Sequence, residues 1–274
     1  MTAIVRRALV PSPLSATLTR LFRARRLVQR NLLVYKHTWL VLFSGFFEPL
    51  FYLLGIGYGL GSVIKTVELS DGRAIAFAAF VAPGLLAMSS LNGAVAESIF
   101  NVFFKLNFAK TYDGILATPL GIREIAVGEL AWSLIRGTLY SAAFVVVMLV
   151  MGLILSPAAI LLIPASLLLG AAFSAAGLAT TAYLRTVQDF DIPMGMVVMP
   201  MFLFSGVFFP TSIYPAVFQW LLGLTPLYHG VNLLRGLTTG ALGWSMLWDV
   251  AYLFGFLAIG LTIAMRQMER KLIK

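Results

Sequence analysis

The sequence predicts an all-α integral membrane protein, and three observations carry that expectation. Hydrophobic residues make up 60% of the 274-residue chain and charged residues 11%, too few charges to cover a soluble globule of this size. Apolar segments recur at lengths that cross the roughly 30 Å of bilayer hydrocarbon. Basic residues gather at both ends and beside alternate segments, the pattern of a chain whose two termini face the cytoplasm.

Residues 1–38 form a cytoplasmic N-terminal segment with Arg6, Arg7, Arg20, Arg23, Arg25, Arg26, Arg30 and Lys36 and no acid. No apolar run follows Arg6 and Arg7, so a cleaved signal peptide is not expected. On a helical wheel Arg20, Arg23, Arg26 and Arg30 share one arc, and Leu18, Leu21, Phe22, Val28 and Leu32 share the opposite one. An amphipathic helix lying on the membrane surface follows, with Arg25 snorkelling from the wrong side. A plain basic extension that fixes topology is the alternative.

Residues 39–265 hold six expected spans. Trp39 to Leu60 carries one charge, Glu48, and Ala74 to Ala96 carries none. The uncharged stretch Gly137 to Leu184 is punctuated by Ser156-Pro157 into two crossings. Ile192 to Phe209 supplies a fifth span and Leu247 to Met265 a sixth, with Asp249 near its start. Between them Pro210, Pro215 and Pro226 break the apolar run into pieces too short to cross, so 210–246 reads as a re-entrant hairpin of two short helices on the outer face. Residues 266–274 are a basic cytoplasmic tail with Arg266, Arg270, Lys271 and Lys274. An even span count keeps both ends inside. Lys105, Lys110, Arg123 and Arg185 then fall in inner connections, and Lys65, Arg73 and Arg235 in outer ones. The basic excess is thereby a topology and lipid-contact signal, and nucleic acid is not an expected partner.

Between the second and third spans, KTYDGILATPLGIREIAVGELAWSLIR at 110–136 places a short helix on the aqueous side. Tyr112 to Thr118 is long enough for about two turns, Pro119 disfavours helix before it, and Gly121 frees the backbone for a new helix near Ile122. The segment is either a lever for a partner to touch or an ordinary polar loop.

Ionisable groups within spans are costly and are the first places to seek function. Glu48, Glu129, Arg136 and Asp249 are the candidates. Glu48 precedes Pro49, which frees a backbone carbonyl one turn earlier; it reads either as a polar point on a substrate path or as a hydrogen-bonded structural glutamate. Glu129 and Arg136 share a helix face about 10 Å apart along the axis, so each needs a partner elsewhere. Their expected task is to join the surface lever to the bundle. The methionines and phenylalanines of 194–209 read as lipid contact or packing before substrate contact. The run GAAFSAAGLA at 170–179 reads as close helix packing.

Cysteine is absent, which removes thiolate metal sites and cysteine nucleophiles. No Gly-Lys pair occurs, so no P-loop can cradle ATP, and no HExxH, GxSxG or GxGxxG is present. No catalytic residue, metal site or cofactor is expected in this chain.

Four stretches carry a resemblance: EPLFYLLGIGYGLG at 48–61, FVAPGLLAMSSLNGAVAES at 80–98, YDGILATPLGIREIAVGELAW at 112–132 and FSGVFFPTSIYPAVFQWLLGLTPLYHGVNLLRG at 204–236. In them the chain resembles permease subunits of type-2 ABC exporters, and most of all nodulation lipo-oligosaccharide exporter permeases and daunorubicin-resistance permeases. The resemblance implies a bacterial inner-membrane exporter. Two permease copies, identical or sister chains, enclose a path for an amphiphile, and two separate cytoplasmic ATPases bind ATP and Mg. It further implies that the ATPase receives the segment between spans 2 and 3, here Lys110, Tyr112, Asp113, Thr118, Pro119 and Leu120. A lipid-linked saccharide is the first substrate class and a drug of the daunorubicin type the second. An ion-coupled secondary carrier, with Glu48 and Asp249 as proton sites, is the reading from another class.

Overall fold

The computed structural model describes residues 25–36, 47–69 and 71–272. Leu18, Leu21 and Phe22 of the proposed amphipathic arc lie outside these residues, as does the start of the first expected span. The described part of the N-terminal segment is a helix, α1 (25–35), that buries Leu27 and Asn31 and leaves Leu32 exposed.

α2 (Phe47–Ile64) is wound in wide π-type turns over Leu53–Leu60, where Gly55, Gly57 and Gly59 follow at every second position. The connection after it is not wholly irregular: β1 (Thr66–Glu68) and β2 (Ala74–Ala76) pair antiparallel with Val67 opposite Ile75, a small departure from the all-α expectation. α3 (Phe77–Asn107) then runs 31 residues. The sequence reading ended this span at Ala96 because Glu97 and Lys105 look like aqueous residues. The helix continues because both charges are neutralised by neighbours, so Lys105 sits on a helix and not in a loop.

Lys110, held in the left-handed region at φ 44°, turns the chain into α4 (Thr111–Leu116). Gly121 then precedes α5 (Ile122–Val150), donating its backbone N–H to Glu124 Oε2 at 3.1 Å, which satisfies one of the orphan groups at this helix start. A turn through Gly152 leads to Ser156, whose hydroxyl accepts from Ala158 N, and to α6 (Pro157–Thr181) with proline in its first turn. α7 (188–204) is a helix of mixed pitch that ends before Gly206, at φ 80°. Two short helices follow, α8 (Ala216–Leu222) and α9 (Pro226–Thr239), and α10 (Ser245–Leu272) closes the chain. No helix break separates the last span from the basic tail at 265.

Among the described residues five helices are long and apolar enough to cross a membrane: α2, α3, α5, α6 and α10. α7, the expected fifth span, is shorter. Helix contacts centre on α6, which packs on α3, α5 and α10. Small residues permit this approach, as 170–179 led one to expect: Gly177 lies against Ser98 and Ile99 of α3, and Gly260 of α10 against Ala175 and Ala176 of α6. Where α3 crosses α5, a Cβ on Gly93 would stand 2.8 Å from Gly137 Cα. In the most apolar window of α3, 94% of residues are buried, against 17% in α2 and in α10.

Candidate functional site

Four helices converge on a buried charged network at the end of the bundle that carries α4. α3 presents Glu97, Asn101 and Lys105 at intervals of four residues, so they stack on one face. α5 presents Glu129, Arg136 and Tyr140 on its facing side, and α1 presents Asn31 and Tyr35. Lys105 Nζ bridges the two acids, 3.2 Å from Glu97 Oε1 and 2.8 Å from Glu129 Oε2. Arg136 Nη1 lies 3.1 Å from Glu97 Oε2, and its Nε donates to the Tyr140 hydroxyl at 3.1 Å. Two acids and two bases balance, and both carboxylates are withdrawn completely from solvent. Neutrality and multiple donors are what make such burial tolerable.

Neutral groups complete the network. Tyr35 Oη and Asn101 Nδ2 donate to Glu97 Oε2 at 3.1 and 2.7 Å, and Asn31 Nδ2 donates to Glu129 Oε2 at 3.4 Å. The Arg136 guanidinium lies 5.6 Å from the ring centres of both Tyr35 and Tyr140. Tyr112, the second residue of α4, donates its hydroxyl to Glu129 Oε1 at 3.1 Å and is itself fully buried. Burial, and next the Glu129 charge, push the Tyr112 phenol well above its ordinary value, so it stays a donor. Burial and then Glu97 do the same for Tyr35.

The six lever positions therefore divide. Tyr112 faces inward as a joint, together with Ile115 and Leu116, which pack on a small apolar cluster containing Leu27, Ile125 and Met268. Lys110, Asp113, Thr118 and Pro119 are exposed on the other side, and Leu120 is half-buried. One surface of α4 is fastened to the bundle while the other is open.

The intramembrane candidates fall in three places. Glu129 and Arg136 join the network through Lys105 and Glu97, which resolves the partners each required. Glu48 lies apart on α2, exposed, accepting from Asn92 Nδ2 of α3 at 3.2 Å. Asp249 is buried beside His229 of α9. The sequence reading missed Glu97, Asn31 and Tyr35, and treated Lys105 as a topology charge; the repeat of polar residues at 97, 101 and 105 was the available signal. Among the described residues no cluster of His, Asp and Glu suits a metal ion.

A cavity of about 1030 Å³ opens beside α6, walled by α7, α8 and part of α10. Met196, Met201 and Phe204 of α7 line it. Arg185 and Asp189 stand at one end, with Asp189 accepting from the backbone of Arg185 and Thr186.

Comparison with known proteins gives this arrangement a family. The model of the ABC-2 type transporter family matches residues 23–238. Nodulation protein J of Bradyrhizobium diazoefficiens is 31% identical over 208 residues, 76% of this chain and 78% of that protein. Nodulation protein J of Rhizobium leguminosarum bv. viciae is 28% identical over 247 residues, 90% and 93% of the two chains. The inner membrane transport permease YadH of Escherichia coli is 25% identical over 187 residues, 64% and 67% of the two. A bundle of apolar helices with one surface helix keyed into its charged core is thus the membrane subunit of a transporter, and the chain belongs to the ABC-2 type transporter family.

Proposed function

We propose that this permease exports a lipid-linked saccharide or similar amphiphile across a bacterial inner membrane, driven by a separate ATPase that docks on the open face of α4. The observation that carries this reading is the Tyr112–Glu129 hydrogen bond, which ties α4 from its inner side to the charged core between α3 and α5. A push on a free loop would be dissipated. A push on α4 meets a hydrogen-bonded, apolar seat and reaches two long helices.

In this reading α7 makes a sixth crossing, both termini are cytoplasmic, and α8 and α9 form a hairpin that dips in from the outer face. Two permease copies, each with an ATPase, enclose the path. The exposed apolar face of α2, with Phe47, Phe51, Leu54 and Tyr58, supports contact with lipid or a second copy. The apolar wall of the α6–α7 cavity suits the tail of an amphiphile. The resemblance to nodulation lipo-oligosaccharide exporter permeases puts the saccharide class ahead of a drug.

Cysteine substitutions test the docking directly, because the chain has no native cysteine. Asp113→Cys and Thr118→Cys are expected to crosslink to cysteines engineered in the ATPase cleft. Crosslinking confined to the 62–73 connection would place the motor on the opposite side and remove the reading.

Energy supplied by ATP leaves Glu48 without a proton-carrying duty. Glu48→Gln retains an acceptor for Asn92 and is expected to preserve substantial export, whereas Glu48→Leu strands that donor and lowers it further. Transport driven by a proton gradient in the absence of ATPase, and abolished by Glu48→Gln, would favour an ion-coupled carrier instead.

A further inference from the structure

His229 lies near the start of α9, and both of its ring nitrogens meet oxygen. Nδ1 is 2.6 Å from Asp249 Oδ1 on α10, and Nε2 is 2.8 Å from the carbonyl oxygen of Gly223, in the turn between α8 and α9. The two side chains are buried. The ring stacks on Tyr252 with centroids 3.9 Å apart, and Tyr252 donates its hydroxyl to the carbonyl of Leu224 at 2.5 Å. α10 therefore reaches two successive carbonyls of the turn, one directly and one through the imidazole.

A carbonyl oxygen only accepts, so Nε2 carries a hydrogen. A neutral ring would then turn the lone pair of Nδ1 toward an ionised carboxylate at 2.6 Å, and two acceptors at that distance repel. One more proton converts the repulsion into a charge-assisted bond. We infer that His229 is a positioning residue that holds the α8–α9 hairpin to α10 as an imidazolium, with its added proton lying between Nδ1 and Asp249.

The surroundings supply no competing charge at the ring. Among the described residues, the titratable groups against it are Asp249 and Tyr252 from α10 and the edge of Tyr228 from its own helix. α6 presents Leu169 beneath the neighbouring Gly230. Arg235, the charge further along α9, is occupied by the carbonyl oxygens of Phe80 and Gly206 and by the Phe80 ring. The imidazolium and carboxylate cancel as a pair. Loss of the added proton would set the Nδ1 lone pair back against the carboxylate, so the hairpin is held to α10 by the shared proton.

The chain has two histidines, so His37→Gln leaves His229 as the single imidazole. Nitrogen-15 NMR of that permease in bilayers at pH 8 is expected to show two protonated ring nitrogens; one protonated and one bare nitrogen overturns the inference. Asp249→Asn offers an amide N–H to Nδ1, so its ring should be neutral and its hairpin still seated. Seating is read from alkylation of a cysteine at buried Leu222, taken relative to one at exposed Leu242. The ratio is expected to rise about tenfold in Asp249→Leu, which leaves Nδ1 without a partner, and to stay near the parent value in Asp249→Asn. Equal rises in both also overturn it. Neither measurement needs an ATPase or a cargo, so its failure leaves the transport reading standing.

Discussion

Lys105→Met is expected to destabilise the folded permease by about 3–5 kcal/mol, the cost typical of removing one partner from a buried ion pair. The ammonium bridges two carboxylates that have no access to solvent, and its loss leaves Glu129 without a cation and Glu97 with Arg136 alone. The measurement is the thermal unfolding of the purified permease in detergent. Lys105→Met combined with Glu129→Gln removes one charge of each sign and should recover part of the loss, because the amide can still accept from Tyr112. Tyr112→Phe is the finer probe: it deletes one hydroxyl, costs about 1–3 kcal/mol for the unsatisfied carboxylate oxygen, and should weaken export per ATP hydrolysed more than it weakens folding. A Lys105→Met protein as stable as its parent would mean that water reaches the network.

Gly93→Val is expected to have a comparable effect by a different route. Its Cβ would stand 2.8 Å from Gly137 Cα and 3.1 Å from the Tyr140 ring, so the obstacle is backbone that cannot rotate away. α3 and α5 must separate, at about 1–3 kcal/mol or more for overpacking. The separation falls one turn from Glu97 and beside Arg136 and Tyr140, so the charged network should suffer with it. Gly255→Ala on α10 is the control, since nothing lies within 4 Å of the added methyl, and exchange of glycine for alanine in a helix gains up to about 1 kcal/mol. Loss of folded protein in both variants would point to intolerance of any change in these helices and not to the crossing.

What the sequence made legible follows from what kind of force was at work. Apolar length and the placement of arginine and lysine mark the membrane helices, because solvation by lipid acts on each segment separately. Pro119, Gly121, Ser156 and Pro157 mark helix ends, because backbone geometry is local. The pairing of Glu129 with Lys105, and of Arg136 with Glu97, was not legible: those partners come from another helix, and their charges made α3 look finished at Ala96. Tyr112 was assigned to a docking face together with its neighbours, since spacing within a six-residue helix does not say which side the rest of the protein will cover. Asp249 was noticed without its partner His229, twenty residues away across a turn, for the same reason.

The burial of α3 on nearly every side sets how freely each part of the chain can be rewritten. A residue of α2 or α10 that faces lipid has only to be oil-soluble, and many side chains meet that requirement. A residue of α3 must match a particular neighbour in shape and polarity: Gly93 the backbone of α5, Ser90 a carbonyl of α6, Glu97 a lysine and an arginine. Chains that diverge under a common fold are therefore held to a narrow vocabulary along this one helix while their outer helices drift, and a change of cargo is more readily written at the rim of the molecule than at its axis.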